Sequence, residues 1–344
     1  MKIVVIGNFR DSVNGQSIRS RNIVDLLKKT ENELYVFDTG NPAILLIKLP
    51  VIAYRLTFSK RVVVMLGRNG VHTLLPIILT ISKVVRTPLI FVPIGGWLDE
   101  LVNRVPFLSF VFNNCHCILP QTDRLARSLY KNLTKPKILV LPNFRVINHM
   151  PFKRNEASRN SGKYFKVIFH ARVTKDKGAW LLLDMAEKIE AMGITDVCFD
   201  IFGPIDPDDS AEFISKIDLL KNVFLKGSIS TAKLYSILPG YNLSILPTFY
   251  PGEGFPGTVL DAYNNGVPVL TTRWLDIPSY VEEGKTGFLC EPNSLESLLN
   301  VFLKVYKEKD SLCAKKHYIK QYSKKFSYRK AEKILKVALS PDFS

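Results

Sequence analysis

An α/β chain of two domains, each built on a parallel sheet, is predicted by three observations. Apolar segments with strand character alternate with helical ones along the whole chain, which implies crossover connections between parallel strands. The length, 344 residues, exceeds what one hydrophobic core usually organises. After a polar stretch, KRNEASRNSGK, the strand–turn–helix pattern begins afresh.

In chain order, KIVVIG (2–7) reads as the first strand, followed by the loop FRDSVNGQS and a helix to Lys29. Nothing here matches GxGxxG, so the usual dinucleotide fingerprint is missing, and Gly15 is the single loop glycine. ELYVFDT and RVVVML supply strands two and three, VHTLLPIILTISKVV a buried helix, and PLIFVPI strand four, which runs into Gly95 and Gly96. LDELVNRVPFLSFVF puts charge early and large apolar residues late, and with residues 43–58 it could lie on a membrane surface or in the core. CHCILPQT is strand five, in which alternation turns His116 away from Cys115 and Cys117 and argues against a metal site. KILVLPNF closes the first half, and the boundary is placed near 145–162.

In the second half FKVIFHARV is a strand, and TKDKG leads into the helix AWLLLDMAEKIEAMG. Arg172 and Lys177 flank that turn, a forked cation and a point cation spaced to grip a diphosphate. Asp206 and Asp208 form an Asp-x-Asp pair, but Asp-Asp-Ser before AEF reads as a helix cap rather than a metal site. NVFLKGSIS is a strand ending in a turn.

The most informative stretch is PTFYPGEGFPGTVLDAYNNGVPVLTT, Pro247 to Thr272. A buried strand, LSILP, gives way to PGEGFPG, with three glycines and two prolines in seven residues, and then to a short helix. Free N–H groups at such a helix start, with the helix dipole behind them, suit an anion. Glu253 and Asp261 add two carboxylates, and a fold-back at Gly254 to Gly257 would turn both toward one cleft. Phosphate-binding N–H groups beside carboxylates fit a nucleotide sugar.

GEGFPGTVLDA resembles the signature of family 4 glycosyltransferases, retaining enzymes of the GT-B fold, and the likeness extends to the Arg172, Lys177 and Gly178 element and to LPNF. It implies two Rossmann-like domains facing across a cleft, with a last helix crossing back to the first. The expected division is 1–150 for the acceptor, 151–325 for the donor and 326–344 for that helix. The family form is Glu, seven residues, Glu; here the second acid is Asp261, one methylene shorter. A histidine common at the end of strand four is replaced by Ile94, His72 reads as a surface residue, and no catalytic histidine is assigned.

The resemblance implies that Arg172 and Lys177 neutralise the leaving diphosphate, with N–H groups around Gly257 and Thr258. Glu253 would hold sugar hydroxyls, Asp261 the ribose, and Gly254, Phe255 and Pro256 would line the donor through their backbone. Gly227, Ser228 and Ile229 would read the base, Gly15 would approach the donor phosphate, and Gly95 and Gly96 would border the acceptor. A UDP- or GDP-type sugar is the expected donor, with no cofactor and no metal.

Net charge is +16, unevenly placed: residues 1–150 carry 20 Lys and Arg against 8 Asp and Glu, a net +12, and the remainder 27 against 23, a net +4. The basic half suggests an anionic partner. Here that is a saccharide or polyprenyl-linked acceptor of surface polysaccharide assembly (capsule, O-antigen or exopolysaccharide) at an anionic membrane. No apolar run reaches the roughly 18–20 residues of a membrane span, so a cytoplasmic protein in contact with the inner face of the cell membrane is expected. Five scattered cysteines give no disulfide framework. Two other readings stay open: a nucleotide-sugar 2-epimerase of the same fold, and a non-catalytic nucleotide or nucleic-acid binder. Against the last, no interleaving of aromatic and basic residues stands out and the lysine-dense tail is amphipathic.

Overall fold

The computed structural model describes residues 1–9, 15–30, 32–41, 45, 47–146, 164–340 and 343. The chain divides into two compact units, Met1–Ile147 with Phe326–Ser344, and Asn148–Lys325. The polar stretch KRNEASRNSGK lies outside the described residues, as does much of the loop carrying Gly15.

In the first unit β1 (Lys2–Gly7) sits between β2 (Glu33–Asp38) and β3 (Arg61–Met65). The sheet continues through β4 (Leu89–Phe91), β5 (Cys117–Ile118) and β6 (Lys137–Ile138), in the order β2-β1-β3-β4-β5-β6, with every pairing parallel. Parallel strands need both faces covered, which is why they read as unbroken apolar runs. Val4, Ile6, Val62, Val64 and Phe91 face the helices Leu49–Thr57, Arg68–Val84, Leu98–Arg104, Pro106–Asn113 and Asp123–Asn132. Ile3, Val5, Val63, Met65 and Ile90 face the other side, covered by the helices Gly15–Lys29 and Tyr328–Leu339. The last helix of the chain therefore completes the core of the first unit, through Ala331, Leu335, Ala338 and Leu339. Buried Arg19 donates to the Leu141 carbonyl at 2.8 Å and Asn22 to that of Phe144 at 3.0 Å, which ties the LPNF segment to the first helix.

The second unit repeats the plan. Its strands are β7 (Phe165–His170), β8 (Val197–Phe202), β9 (Val223–Gly227), β10 (Leu243–Leu246), β11 (Val269–Thr272) and β12 (Gly287–Cys290). Their order is β12-β11-β10-β7-β8-β9, again all parallel. The chain winds outward from β7 to β9 and then returns to the other side of β7 as β10. Loops leaving β7 and β10 therefore diverge at the carboxyl edge between them, the switch point where open α/β sheets hold ligands.

Several sequence boundaries shift. The segment 98–112 is two helices, Leu98–Arg104 and Pro106–Asn113, because Pro106 cannot continue the first and holds Val105 extended (ψ 95°). The helix expected from 71 begins at Arg68, and the strands expected over 88–94, 115–122, 137–144 and 222–230 pair over shorter spans. The aspartate cap is real but displaced: Asp206, not Asp208, accepts from a backbone N–H, at the turn Pro207–Asp209 that precedes the helix Ser210–Ile217.

Candidate functional site

Two loops build the site, both at the carboxyl edge of the second sheet beside the switch point. The first, Ala171–Lys177, leaves β7 and enters the helix Ala179–Ala191. The second, Pro247–Pro256, leaves β10 and enters the helix Gly257–Asn264. Gly178 joins them. Its φ is +79°, and a Cβ there would fall 2.2 Å from the Pro247 carbonyl oxygen, so only glycine lets the loops approach this closely. The Asp176 carbonyl accepts from the Phe249 N–H at 2.8 Å and from the Thr248 hydroxyl at 3.2 Å. Gly203 does the same on the other flank: a Cβ would fall 1.8 Å from the Ala171 carbonyl.

On this scaffold Lys177 forms an ion pair with Glu253. Their side chains are 13% and 9% exposed, so each charge depends on the other in a poorly solvated place. The Thr248 hydroxyl donates to the same Glu253 oxygen at 3.1 Å. Tyr250, which the sequence reading passed over, organises the cations. The Lys177 ammonium lies 4.5 Å from its ring centroid and the Arg172 guanidinium 5.9 Å. The Tyr250 ring lies against Gly252, and its carbonyl accepts from the Trp274 indole N–H at 2.8 Å. Of the two lysines in TKDKG only Lys177 faces the glutamate loop; Lys175 pairs with Asp209 at 3.5 Å and Glu212 at 3.2 Å.

The two acids of the sequence signature take separate partners. Asp261, in the second turn of its helix and buried, accepts from the Tyr235 hydroxyl at 2.7 Å. Tyr235 lies on the helix Thr231–Ile237 and accepts in turn from the Asn264 amide at 3.1 Å. The shorter aspartate carboxylate stays close to its own helix, and a neighbouring tyrosine reaches it there. The helix start is pinned by Thr258, whose hydroxyl donates to the His170 carbonyl at 2.7 Å, setting Gly257 and Thr258 beside the end of β7.

Gly254 and Pro256 are buried in the glutamate loop. The Phe255 ring stacks on Tyr280 at 4.1 Å in the core. Gly227 ends β9 at φ +71°, and its carbonyl accepts from the Gly203 N–H at 3.0 Å. Ser228 follows it, and Ile229 packs beside Leu234, Leu238 and Tyr241. Gly15, Gly95 and Gly96 belong to the first unit. Gly15 opens the helix that follows β1, and Gly95, at φ +107°, follows β4. Ile94, where the histidine is replaced, is buried and accepts from the Trp97 indole at 2.6 Å. His72 is exposed in its helix.

Tyr250 and Tyr235 escaped the sequence reading because their partners are remote in the chain. The one local sign of Tyr250 is that it directly precedes the PGEG turn.

Comparison with known proteins bears on the family and the fold. A candidate colanic acid biosynthesis glycosyltransferase, WcaL, of Salmonella typhimurium is 24% identical over 58% of this chain and 50% of its own length. An uncharacterized glycosyltransferase of Methanocaldococcus jannaschii is 25% identical over 59% of this chain and 55% of its own length. The chain thus spans about half the length of these relatives. Among solved structures, Anabaena HepE in complex with UDP superposes with a TM-score of 0.75 at 16% identity, covering 97% of this chain and 98% of that one. Sucrose-phosphate synthase of Thermosynechococcus elongatus gives 0.74 at 13% identity, covering 97% of each chain. These likenesses show the fold, GT-B, with its two parallel six-stranded sheets. The family described as glycosyl transferases group 1 matches residues 152–326, a span that holds both loops of the site. The chain belongs to the group 1 glycosyl transferases.

Proposed function

We propose that this protein is a retaining hexosyltransferase of family 4. It moves a sugar from a nucleoside-diphosphate donor to a hydroxyl of a saccharide or polyprenyl-linked acceptor, in assembly of a surface polysaccharide at the inner face of the cell membrane. The observation that carries the reading is the convergence of Arg172, Lys177 and Glu253 around Tyr250 at the switch point of the second sheet. The name of the Salmonella relative supports the pathway. Solved neighbours with UDP and with UDP-glucose support a uridine donor.

Before donor binding Lys177 and Glu253 neutralise each other. On binding, Lys177 turns to the diphosphate, and Glu253 is released to accept from sugar hydroxyls. Arg172 meets the remaining phosphate charge, and Tyr250 keeps both cations in place. The N–H groups of Gly257 and Thr258 face the same anion. Charge grows on the departing phosphate oxygen in the transition state, so these fixed cations and dipoles stabilise it more than the ground state. Two cations and a helix start meet the diphosphate charge without a metal. Asp261, steadied by Tyr235, holds the ribose. Gly227, Ser228 and Ile229 present backbone to the base, and Gly254, Phe255 and Pro256 back the sugar.

The test is a thermal-shift panel of UDP, GDP, ADP and CMP, with and without EDTA, on wild type and Lys177→Ala. A ligand that binds only the folded state raises the midpoint. UDP should raise it, indifferent to EDTA, and the shift should vanish in the variant. Silence up to millimolar nucleotide would end this reading. Turnover of the nucleotide sugar without any acceptor would replace transfer by epimerisation.

A further inference from the structure

The first unit has an outer surface that its core does not explain. Three helices, Leu49–Thr57, Arg68–Val84 and Pro106–Asn113, lie side by side on one face of its sheet. Each buries one side and turns large apolar groups outward. Tyr54 and Phe58 are 60% and 59% exposed, one helical turn apart with rings 5.1 Å from each other. Phe107 and Phe110, also one turn apart, are 57% and 67% exposed. Val51 beside Tyr54, and Ile77 and Val84 on the central helix, are exposed as well. A soluble domain rarely shows so many large apolar groups on neighbouring helices unless something covers them.

Charge indicates what that is. From Thr39 to Thr122 the chain has only two acidic residues, Asp99 and Glu100. Both are engaged: Asp99 with Arg124 at 2.7 Å, and Glu100 with Arg104 at 2.9 Å and Arg68 at 3.3 Å. Lys48, Lys60, Lys83 and Arg86, by contrast, are exposed around the same helices. Helices lying in plane, aromatic outward and fringed by cations without carboxylates, match a bilayer surface carrying negative headgroups. A second copy of this face would bring cations against cations.

We infer that the outer face of these three helices docks the protein on an anionic lipid bilayer, with Tyr54, Phe58, Phe107 and Phe110 entering the headgroup region. The inference deepens the proposed reading, which places the acceptor at a membrane; the surface itself is argued from exposure and charge alone.

The test is flotation of the full chain with vesicles of phosphatidylcholine and phosphatidylglycerol in equal parts, against phosphatidylcholine alone, with UDP thermal shift measured in parallel. Wild type should float with the mixed vesicles only, and less so in high salt. Phe107→Ser with Phe110→Ser should lower the partition by about tenfold per phenylalanine. Lys48→Glu with Lys83→Glu should lower it by about tenfold or more. Neither pair touches the donor loops, so the UDP shift should persist in both and report folding. If wild type ignores the mixed vesicles while UDP still shifts it, the docking inference fails and the transferase reading stands. If UDP has no effect yet the vesicles bind, the reverse holds. Equal flotation of wild type and the phenylalanine variant overturns the inference. So does a wild-type dimer in solution that the phenylalanine variant dissolves, since a second copy would then cover the face.

Discussion

The two units share a plan and differ in where they place charge. Each is a six-stranded parallel sheet with one switch point, beside β1 and β3 in the first unit and β7 and β10 in the second. In the second, acids and bases are nearly balanced and largely paired. Lys177 holds Glu253, Lys216 holds Asp184, and Lys309 with Tyr306 holds Asp196. Its strongest feature is a buried charged cluster between two loops. In the first unit the acids are few, and the outer helices show aromatics and cations instead. This topology supplies only an edge and a set of helices. What is recognised there depends on the side chains mounted on it.

The sharpest way to break the contrast is to separate the two loops of the second unit. Gly178→Ala must hold a left-handed φ and push its Cβ into the Pro247 carbonyl. A loss of about 3 kcal/mol in urea unfolding is expected, together with the UDP shift. Gly193→Ala is the control: φ is +74° but nothing lies within 4 Å of the added Cβ. It should cost only about 1 kcal/mol and leave the UDP shift intact.

A similar loss is expected from Lys177→Ala, which leaves Glu253 charged and nearly buried, at about 3 kcal/mol. Arg172→Ala removes an exposed cation from the same ring and should change stability by no more than about 0.5 kcal/mol while still weakening UDP. Equal destabilisation by the two would mean that the Lys177–Glu253 pair is not the buried element described.

The smallest effect tests the surface pairing of the second unit. Hydrogen bonds from Lys309 and Tyr306 hold the Asp196 carboxyl below the usual carboxylate range. A depressed folded value means that the carboxylate stabilises the fold above its unfolded pKa, and that this support fades as pH falls through the folded value. Asp196→Asn should therefore cost about 0.5 kcal/mol near neutrality, since the pair is largely solvated. The difference from wild type should close in acid unfolding below that value.

Much of the second unit could be read from its residues because its signals are local. Arg172 and Lys177 bracket one turn, Glu253 sits in a glycine-rich loop, and the helix start follows directly. Periodicity placed the helices Ala179–Ala191 and Gly257–Asn264. It failed where a strand's apolar run outlasts its pairing, as at β5 and β6. The outward aromatics of the first unit lie in segments whose residues allow either burial or a membrane surface, because an apolar pattern does not say which side is covered.

The alternation of strands and helices, the two-unit plan and the residue types of the two loops of the candidate site are legible from the residues, all set by near neighbours and backbone chemistry. Tertiary structure alone decided the pairings: Lys177 with Glu253 on Tyr250, Asp261 with Tyr235, and Phe107 and Phe110 turned outward. Those depend on which strands lie side by side, and strand order joins groups far apart in the chain that no local pattern records.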